Sequence, residues 1–285
     1  MKRFRIVGLA LLIVVIFFSI CSISHSLSKG KSSTLQSIGV LDQPSALLGN
    51  FPQEVRPDID IPLPLEGVSE QILYRNYYIV SYNKDNKIPN WVAWHLTASH
   101  TDGNVSRPGN AWHEDLDVPA PRANPGDYKG SGWTRGHMCP AGDNKWDSDA
   151  MYNTFLFTNC CPQNANLNSG TWNQIEISTR RWAEKFGELY IVCGPILFRQ
   201  QHEKIGENGV VVPEAFFKII VCLNETHPKG IGFVCRNTDG NRSKDLYVNS
   251  VNQIERITGI TFFPHLPKQL SEAVKNEANL DDWER

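Results

Sequence analysis

The sequence predicts an α+β domain: a central, largely antiparallel sheet flanked by helices. Short apolar runs of strand length recur from Tyr77 to Val248, most of them not separated by helical patterns as βαβ units would be. One long amphipathic pattern, Thr171 to Gly187, interrupts them, and two further helical patterns close the chain. No internal repeat is present.

Taken in order, Tyr77–Tyr82 and Trp91–Thr97 read as strands joined by the polar turn Asn83–Asn90. Residues Thr101–Gly132 are dense in Gly, Pro, Asp and Asn, which predicts a long loop, and long ordered loops often carry function. Phe155–Thr158 reads as a buried strand delivering Asn159. In Thr171–Gly187, Trp172, Ile175, Trp182 and Phe186 recur at three-, four- and seven-residue steps, and Gly187 stops the helix. Strands follow at Leu189–Val192, Ala215–Leu223, Ile231–Cys235 and Leu246–Val248, then helices at Val251–Thr258 and Pro267–Asn276.

The chemistry-bearing residues cluster around Thr134-Arg135-Gly136-His137, followed by Asn159, Pro162-Gln163, Asn168, Trp172 and Glu176. From His137 to Glu176 there are one histidine, two key asparagines and one glutamate within forty residues. Asn168 precedes the predicted helix and Glu176 lies eight residues on, a little over two turns at 3.6 residues per turn, so both can address one cavity. An amide oxygen is a poor zinc ligand but suits magnesium, which keeps most of its waters. A histidine base beside such a cation suits attack of water on a phosphodiester. An ordinary imidazole pKa of ~6.5 leaves that base neutral at pH 7.

This set resembles the DNA/RNA non-specific endonucleases of the ββα-metal (His-Me finger) type. The resemblance runs roughly from Ile72 to Phe263. It includes Tyr128-Lys129-Gly130-Ser131-Gly132 leading into Arg135-Gly136-His137, Thr158-Asn159-Cys160-Cys161-Pro162-Gln163, and Leu167-Asn168 through Trp172 to Glu176. Further on, Cys193-Gly194-Pro195, Pro213, Phe216-Phe217-Lys218, Ile254-Glu255 and Thr258-Gly259 also fit. The resemblance implies His137 as general base and Asn168 as the one direct protein ligand to magnesium, with manganese as the alternative ion. It implies Glu176 beside the metal waters, and Arg135 and Asn159 holding the scissile phosphate or fixing the geometry. The implied substrates are DNA and RNA, the products 5′-phosphate and 3′-hydroxyl ends. Two positions depart from the pattern. Thr134 stands where the family usually has aspartate, so a hydroxyl inherits any orienting role. The upstream phosphate-clamping arginine is not at its usual place in Trp112-His113-Glu114-Asp115, which leaves Arg107, His113 and Arg122 as candidates.

Composition bounds these readings. The 285 residues and 41% hydrophobic content are ordinary for a globular protein. Lys2, Arg3 and Arg5 precede the apolar run 6–20 and small residues near Ser22–Ser26, the layout of a secretory signal over residues 1–26 or of an uncleaved membrane anchor. Export to the periplasm or beyond is the expectation. Residues 27–57 read as a flexible linker, and 58–285 as the catalytic domain. Cys21 lies in the signal, and the remaining six cysteines permit disulfides; Cys193, Cys222 and Cys235 also suit buried strand positions. The formal charge is −2, and loss of the signal's three cations takes it to −5. A protein with a broad basic nucleic-acid face would normally run the other way, so the reading implies a cleft more basic than the whole, which Arg180, Arg181, Lys185 and Lys129 could furnish. The plainer reading of these residues is a solvated helix face.

Plainer roles compete for some of these residues. His95, His100, His202, His227 and His265 have no motif partners and read as structural. Trp172 reads as packing, Gln163 and Asn159 as groups that can equally satisfy loop backbone, and Asp143, Asp147 and Asp149 as turn or helix-start residues or as carboxylates near the cation. Two rival functions stand beside the broad nuclease: an exported phosphodiesterase confined to one nucleic acid, and a non-catalytic nucleic-acid-binding protein of the same fold.

Overall fold

The computed structural model describes residues 60–284 apart from 110, 224–227 and 241. The expected signal or anchor over 1–26 and the linker over 27–57 lie outside the described residues.

Seven strands form one antiparallel sheet in the order β1-β2-β3-β6-β9-β10-β11. They are β1 Gln71–Tyr74, β2 Ile79–Asn83, β3 Ile88–Thr97, β6 Glu188–Ile196, β9 Ala215–Cys222, β10 Lys229–Arg236 and β11 Val248–Asn249. A two-stranded ribbon, β4 Thr134–His137 with β5 Cys160–Gln163, stands apart from it, as does the small hairpin β7 Lys204–Ile205 with β8 Val210–Val211. The helices that matter are α1 Ser148–Asn153, α2 Asn173–Phe186, α3 Val251–Thr258 and α4 Lys268–Lys275. The predicted α+β class with a mostly antiparallel sheet is the observed one.

Both faces of the sheet are covered, which explains why its central strands read as continuous apolar runs rather than alternating ones. Along β9, Phe216 and Ile220 enter the core beneath α2, while Phe217, Ile219 and Val221 enter the core with Phe262, Leu270 and Val274. β3 does the same, sending Val92 and Trp94 one way and Trp91 and Ala93 the other. Each such side chain contributes ~1.5–3 kcal/mol of burial. α2 seals the first core with Ile175, Trp182 and Ala183, and ends at Gly187, whose φ of 91° a side chain would strain.

Several boundaries differ from expectation. β3 starts at Ile88, so the turn before it is shorter than Asn83–Asn90, and β1 was not expected. Phe155–Thr158 is not a strand: Phe155 and Leu156 close turns onto Tyr152 and Asn153, a 3-10 turn covers Phe157–Asn159, and pairing begins only at Cys160. The segment makes one isolated bridge instead, in which His113 N donates to the Phe155 carbonyl and Phe157 N donates to the His113 carbonyl, each at 3.2 Å. Leu246 belongs to a 3-10 turn, leaving the two-residue β11. All six cysteines of the described region are free and buried, so no disulfide staples it. Burial pushes Cys160, Cys193 and Cys235 up to about 12, which keeps them as protonated packing groups.

Candidate active site

The ribbon β4–β5 and the start of α2 enclose a cavity of about 450 Å³. Arg107, Arg135, His137, Asn168 and Glu176 all line it, so five of the eight predicted site residues, from four separate segments, meet in one place.

β4 sets the geometry. Its register pairs Thr134 with Gln163 and His137 with Cys160, four residues that place the motif's two ends roughly 10 Å apart along the strand. Gly136 between them is required by close approach: a Cβ there would stand 2.2 Å from Gln163 Oε1, and Gln163 is wholly buried beneath it. At one end, the Thr134 hydroxyl donates to the Gln163 carbonyl at 2.7 Å and accepts from Asn168 Nδ2 at 3.1 Å. Asn168 Nδ2 also points to the Arg135 carbonyl at 3.5 Å. With its nitrogen tied to β4, the amide leaves its oxygen for the cavity. The hydroxyl at position 134 thus orients the amide that the sequence marks as a ligand.

At the other end, His137 packs between aromatic rings. Its centroid lies 4.4 Å from Trp112 and 4.9 Å from Phe155, the latter edge-on. Nε2 is enclosed and has no hydrogen-bond partner, so Nδ1 is the nitrogen open to the cavity. Burial, with the Arg107 guanidinium adding to it, lowers the imidazole to about 3. The ordinary value assumed from the sequence therefore does not hold, and the ring is neutral well below pH 6. Trp112 was not singled out from the sequence. Its ring centroid lies 4.4 Å from that of His137 and 5.7 Å from Arg135 Cζ, so it packs against both base and cation. Only its place in Trp112-His113-Glu114-Asp115 signalled it.

Asn168 does not sit at the start of one continuous helix. It opens a π-type turn, Asn168–Trp172, broken at Gly170 (φ −101°, ψ −109°), and α2 begins after it. Glu176 lies in the first turn of α2, where the helix dipole favours a carboxylate. Burial nonetheless raises its pKa, opposed by Lys218, Arg180 and Arg107, while Asp143 pushes the same way as burial. Lys218 is itself buried on β9, its Nζ 5.1 Å from the Trp94 ring and 4.9 Å from Trp172. Trp172 is a packing residue, as its plain reading had it.

Three predicted residues lie elsewhere. Asn159 is fully buried and its amide is committed: Oδ1 accepts from Cys139 N at 2.8 Å, and Nδ2 donates to the Cys139 and Thr154 carbonyls at 2.9 Å. It shapes the loop after His137 and has nothing left for phosphate. Arg122 is held by Glu114 at 2.9 Å and the Val118 carbonyl at 2.8 Å. His113 stacks on Tyr152 at 4.2 Å, with Nδ1 against the Ala111 carbonyl. Of the three clamp candidates, Arg107 alone lines the cavity. Asp147 caps α1 through the Ala150 N–H at 2.8 Å, and Asp143 is buried against Arg180 at 3.0 Å and Trp94 Nε1 at 3.1 Å. His95 and His202 pair with Glu188 and Glu214, away from the cavity.

A neutral imidazole, an oriented amide oxygen, a carboxylate and two guanidinium groups around one polar cavity make a site for handling a phosphodiester and water. Comparison with known proteins agrees with that chemistry. The chain belongs to the DNA/RNA non-specific endonuclease family, whose sequence model matches residues 62–269. It is 34% identical over 234 residues to mitochondrial nuclease EXOG of Homo sapiens, covering 76% of this chain and 62% of that protein. The chain therefore spans less than two thirds of that relative. It is 30% identical over 249 residues to a nuclease of Nostoc sp., covering 79% of this chain and 89% of the relative. The crystal structure of an EndoG/EndoGI complex superposes with a TM-score of 0.67 at 28% identity, over 70% of this chain and 89% of that one.

Proposed function

We propose that the protein is a magnesium-dependent endonuclease that hydrolyses phosphodiester bonds of DNA and RNA with little sequence preference. The observation that carries this is the shared cavity: His137 Nδ1 and the Asn168 amide oxygen, fixed at opposite ends of β4, open onto the same space.

The donor set fits a hard cation. Among the described residues no group of three or more His, Cys, Asp or Glu side chains could cage a metal, so any ion here must keep most of its waters. Asn168 offers an amide oxygen and Glu176 a carboxylate for those waters, which suits magnesium, or manganese, far better than zinc. Such an ion supplies charge neutralisation at the phosphate and at the departing 3′ oxygen.

The chain's own residues do the rest. His137, neutral through burial, accepts the proton of the attacking water at Nδ1. A base at about 3 is weak, and the single negative charge of a bound phosphodiester acts in the direction that favours imidazolium. Arg107 and Arg135 hold the phosphate oxygens, Arg135 steadied over Trp112. Thr134 keeps the Asn168 oxygen aimed inward. The contacts assigned here go to phosphate, which carries no sequence information, and that accords with broad substrate use. Export, and a signal or anchor over residues 1–26, remain part of this proposal.

The test is digestion of supercoiled plasmid, single-stranded DNA and RNA with and without magnesium. All three should be degraded with the ion and none with chelator. Cleavage of RNA alone would favour the restricted phosphodiesterase, and binding without cleavage the non-catalytic relative.

A further inference from the structure

Arg107 is a wall shared by two cavities. Beside the first lies a second space of about 430 Å³, bounded by residues 103–106 and by Gly142, Lys145, Met151 and Arg180. Its charged lining residues, Arg107, Lys145 and Arg180, are all cations, and no acid lines it.

The backbone holds this arrangement in place. Val105 N donates to the Lys145 carbonyl at 3.1 Å, so the loop bearing Arg107 is tied to the residue bearing the second cation. The approach is close enough that a Cβ on Gly103 would stand 2.2 Å from that same carbonyl oxygen. Arg180 forms the floor, with Nη1 bonded to the buried Asp143 at 3.0 Å. Gly142 leaves room for it, since a Cβ there would stand 2.8 Å from Nη1. Asp143 thus balances Arg180, while neither Arg107 nor Lys145 makes an ion pair among the described residues. The nearby carboxylate Asp147 is engaged in capping α1. Two cations without an ion pair, Arg107 with only the electrostatic influence of Glu176 in the inner cavity, therefore face one polar space adjoining the cavity of His137, in a chain whose net charge is negative.

We propose that this second cavity is a phosphate subsite for the neighbouring nucleotide of the same DNA or RNA strand, with Arg107 shared between the two phosphates and Lys145 serving the outer one. The inference rests on the nuclease reading for the inner phosphate and adds a specific length requirement to it. A lysine against phosphate acts as a point charge that carries no sequence information, so the subsite strengthens binding without narrowing the choice of substrate. It also answers the charge problem: a few cations in line replace a broad basic face.

The experiment is fluorescence anisotropy of labelled oligonucleotides of two, four and eight nucleotides in chelator, which reads binding independently of turnover. The wild-type protein should gain several-fold in affinity between the dinucleotide and the tetranucleotide. Lys145→Ala should erase most of that gain and flatten the salt dependence by about 0.7 in the log–log slope, the share of one phosphate on a single strand. Lys145→Arg should preserve both. The side chain is exposed, so these variants should fold as wild type does. A full length gain in Lys145→Ala, an equal loss in Lys145→Arg, or no gain in the wild type would overturn the subsite. Length-dependent binding that Lys145→Ala erases, in a protein that cuts nothing with magnesium, would instead sink the nuclease reading and leave the subsite standing.

Discussion

The seven-stranded sheet and the β4–β5 ribbon are held together by different means. In the sheet, β9 is buried along its whole length between two cores, and each contact is backed by several others of the same kind. The ribbon has four pairs of residues, a glycine that admits Gln163, and one hydroxyl that aims one amide. Redundant apolar packing makes the sheet stable but chemically inert. The ribbon keeps polar atoms buried without partners, His137 Nε2 and both Gln163 amide atoms among them, and tolerates that cost where the chemistry is.

Substitutions should separate the two regions. The largest effect on activity is expected from His137→Ala, which should lower the rate of plasmid cleavage ~10²- to 10⁴-fold while melting close to wild type. Near-normal cleavage would remove His137 as the base. Phe216→Ala, in the sheet, should do the reverse. Loss of that ring from β9 should cost ~3–5 kcal/mol in denaturant unfolding, with the magnesium titration of the surviving folded protein unchanged. A shifted titration would mean that sheet and ribbon are coupled more tightly than their separate pairing suggests.

Thr134→Val gives an intermediate effect and probes the ribbon from within. Removing the hydroxyl frees Asn168 Nδ2 to rotate, and loss of an orienting partner typically weakens metal affinity ~10- to 100-fold. The half-saturating magnesium concentration should rise accordingly, and Thr134→Ser should restore it. Equal metal dependence in wild type and valine variant would show that the amide is held by the Arg135 carbonyl instead.

The same contrast decides what a reader of the sequence can find. Long apolar runs announce β9, β10 and α3 because their periodicity is written many times over. His137, Asn168 and Glu176 are legible because their chemistry is unusual at that spacing. Arg107 is not separable from His113 and Arg122 by sequence, because the choice depends on how a loop of some thirty residues folds back over the ribbon. Nor is the role of Asn159. The sequence leaves phosphate contact and loop-backbone bonding equally open, and only its three hydrogen bonds to backbone choose the second. Phe155–Thr158 looks like a strand for its apolar content, yet that content fills the wall around His137 and Trp112 from a turn.

A further predicted effect concerns acid, and it turns on the sign of one shift. His137 is held at about 3 in the folded protein against ~6.5 in an unfolded chain. Between those values the unfolded state binds more protons, so this residue's contribution to stability is present above pH 6.5 and lost as pH falls toward 3. Glu176 and Asp143 have raised pKa values, which gives them the opposite slope, so the wild-type melting curve alone mixes the three. The difference between wild type and His137→Leu isolates the imidazole. That variant should gain on the wild type in melting temperature as pH is lowered from 7 to 4, and parallel curves would place the imidazole near its ordinary value. Cleavage measured at subsaturating substrate should likewise hold its rate below pH 6, because the free protein's base is still neutral there. A decline already complete at pH 6 would mean that the enclosed ring is better solvated in solution than its contacts with Trp112 and Phe155 allow.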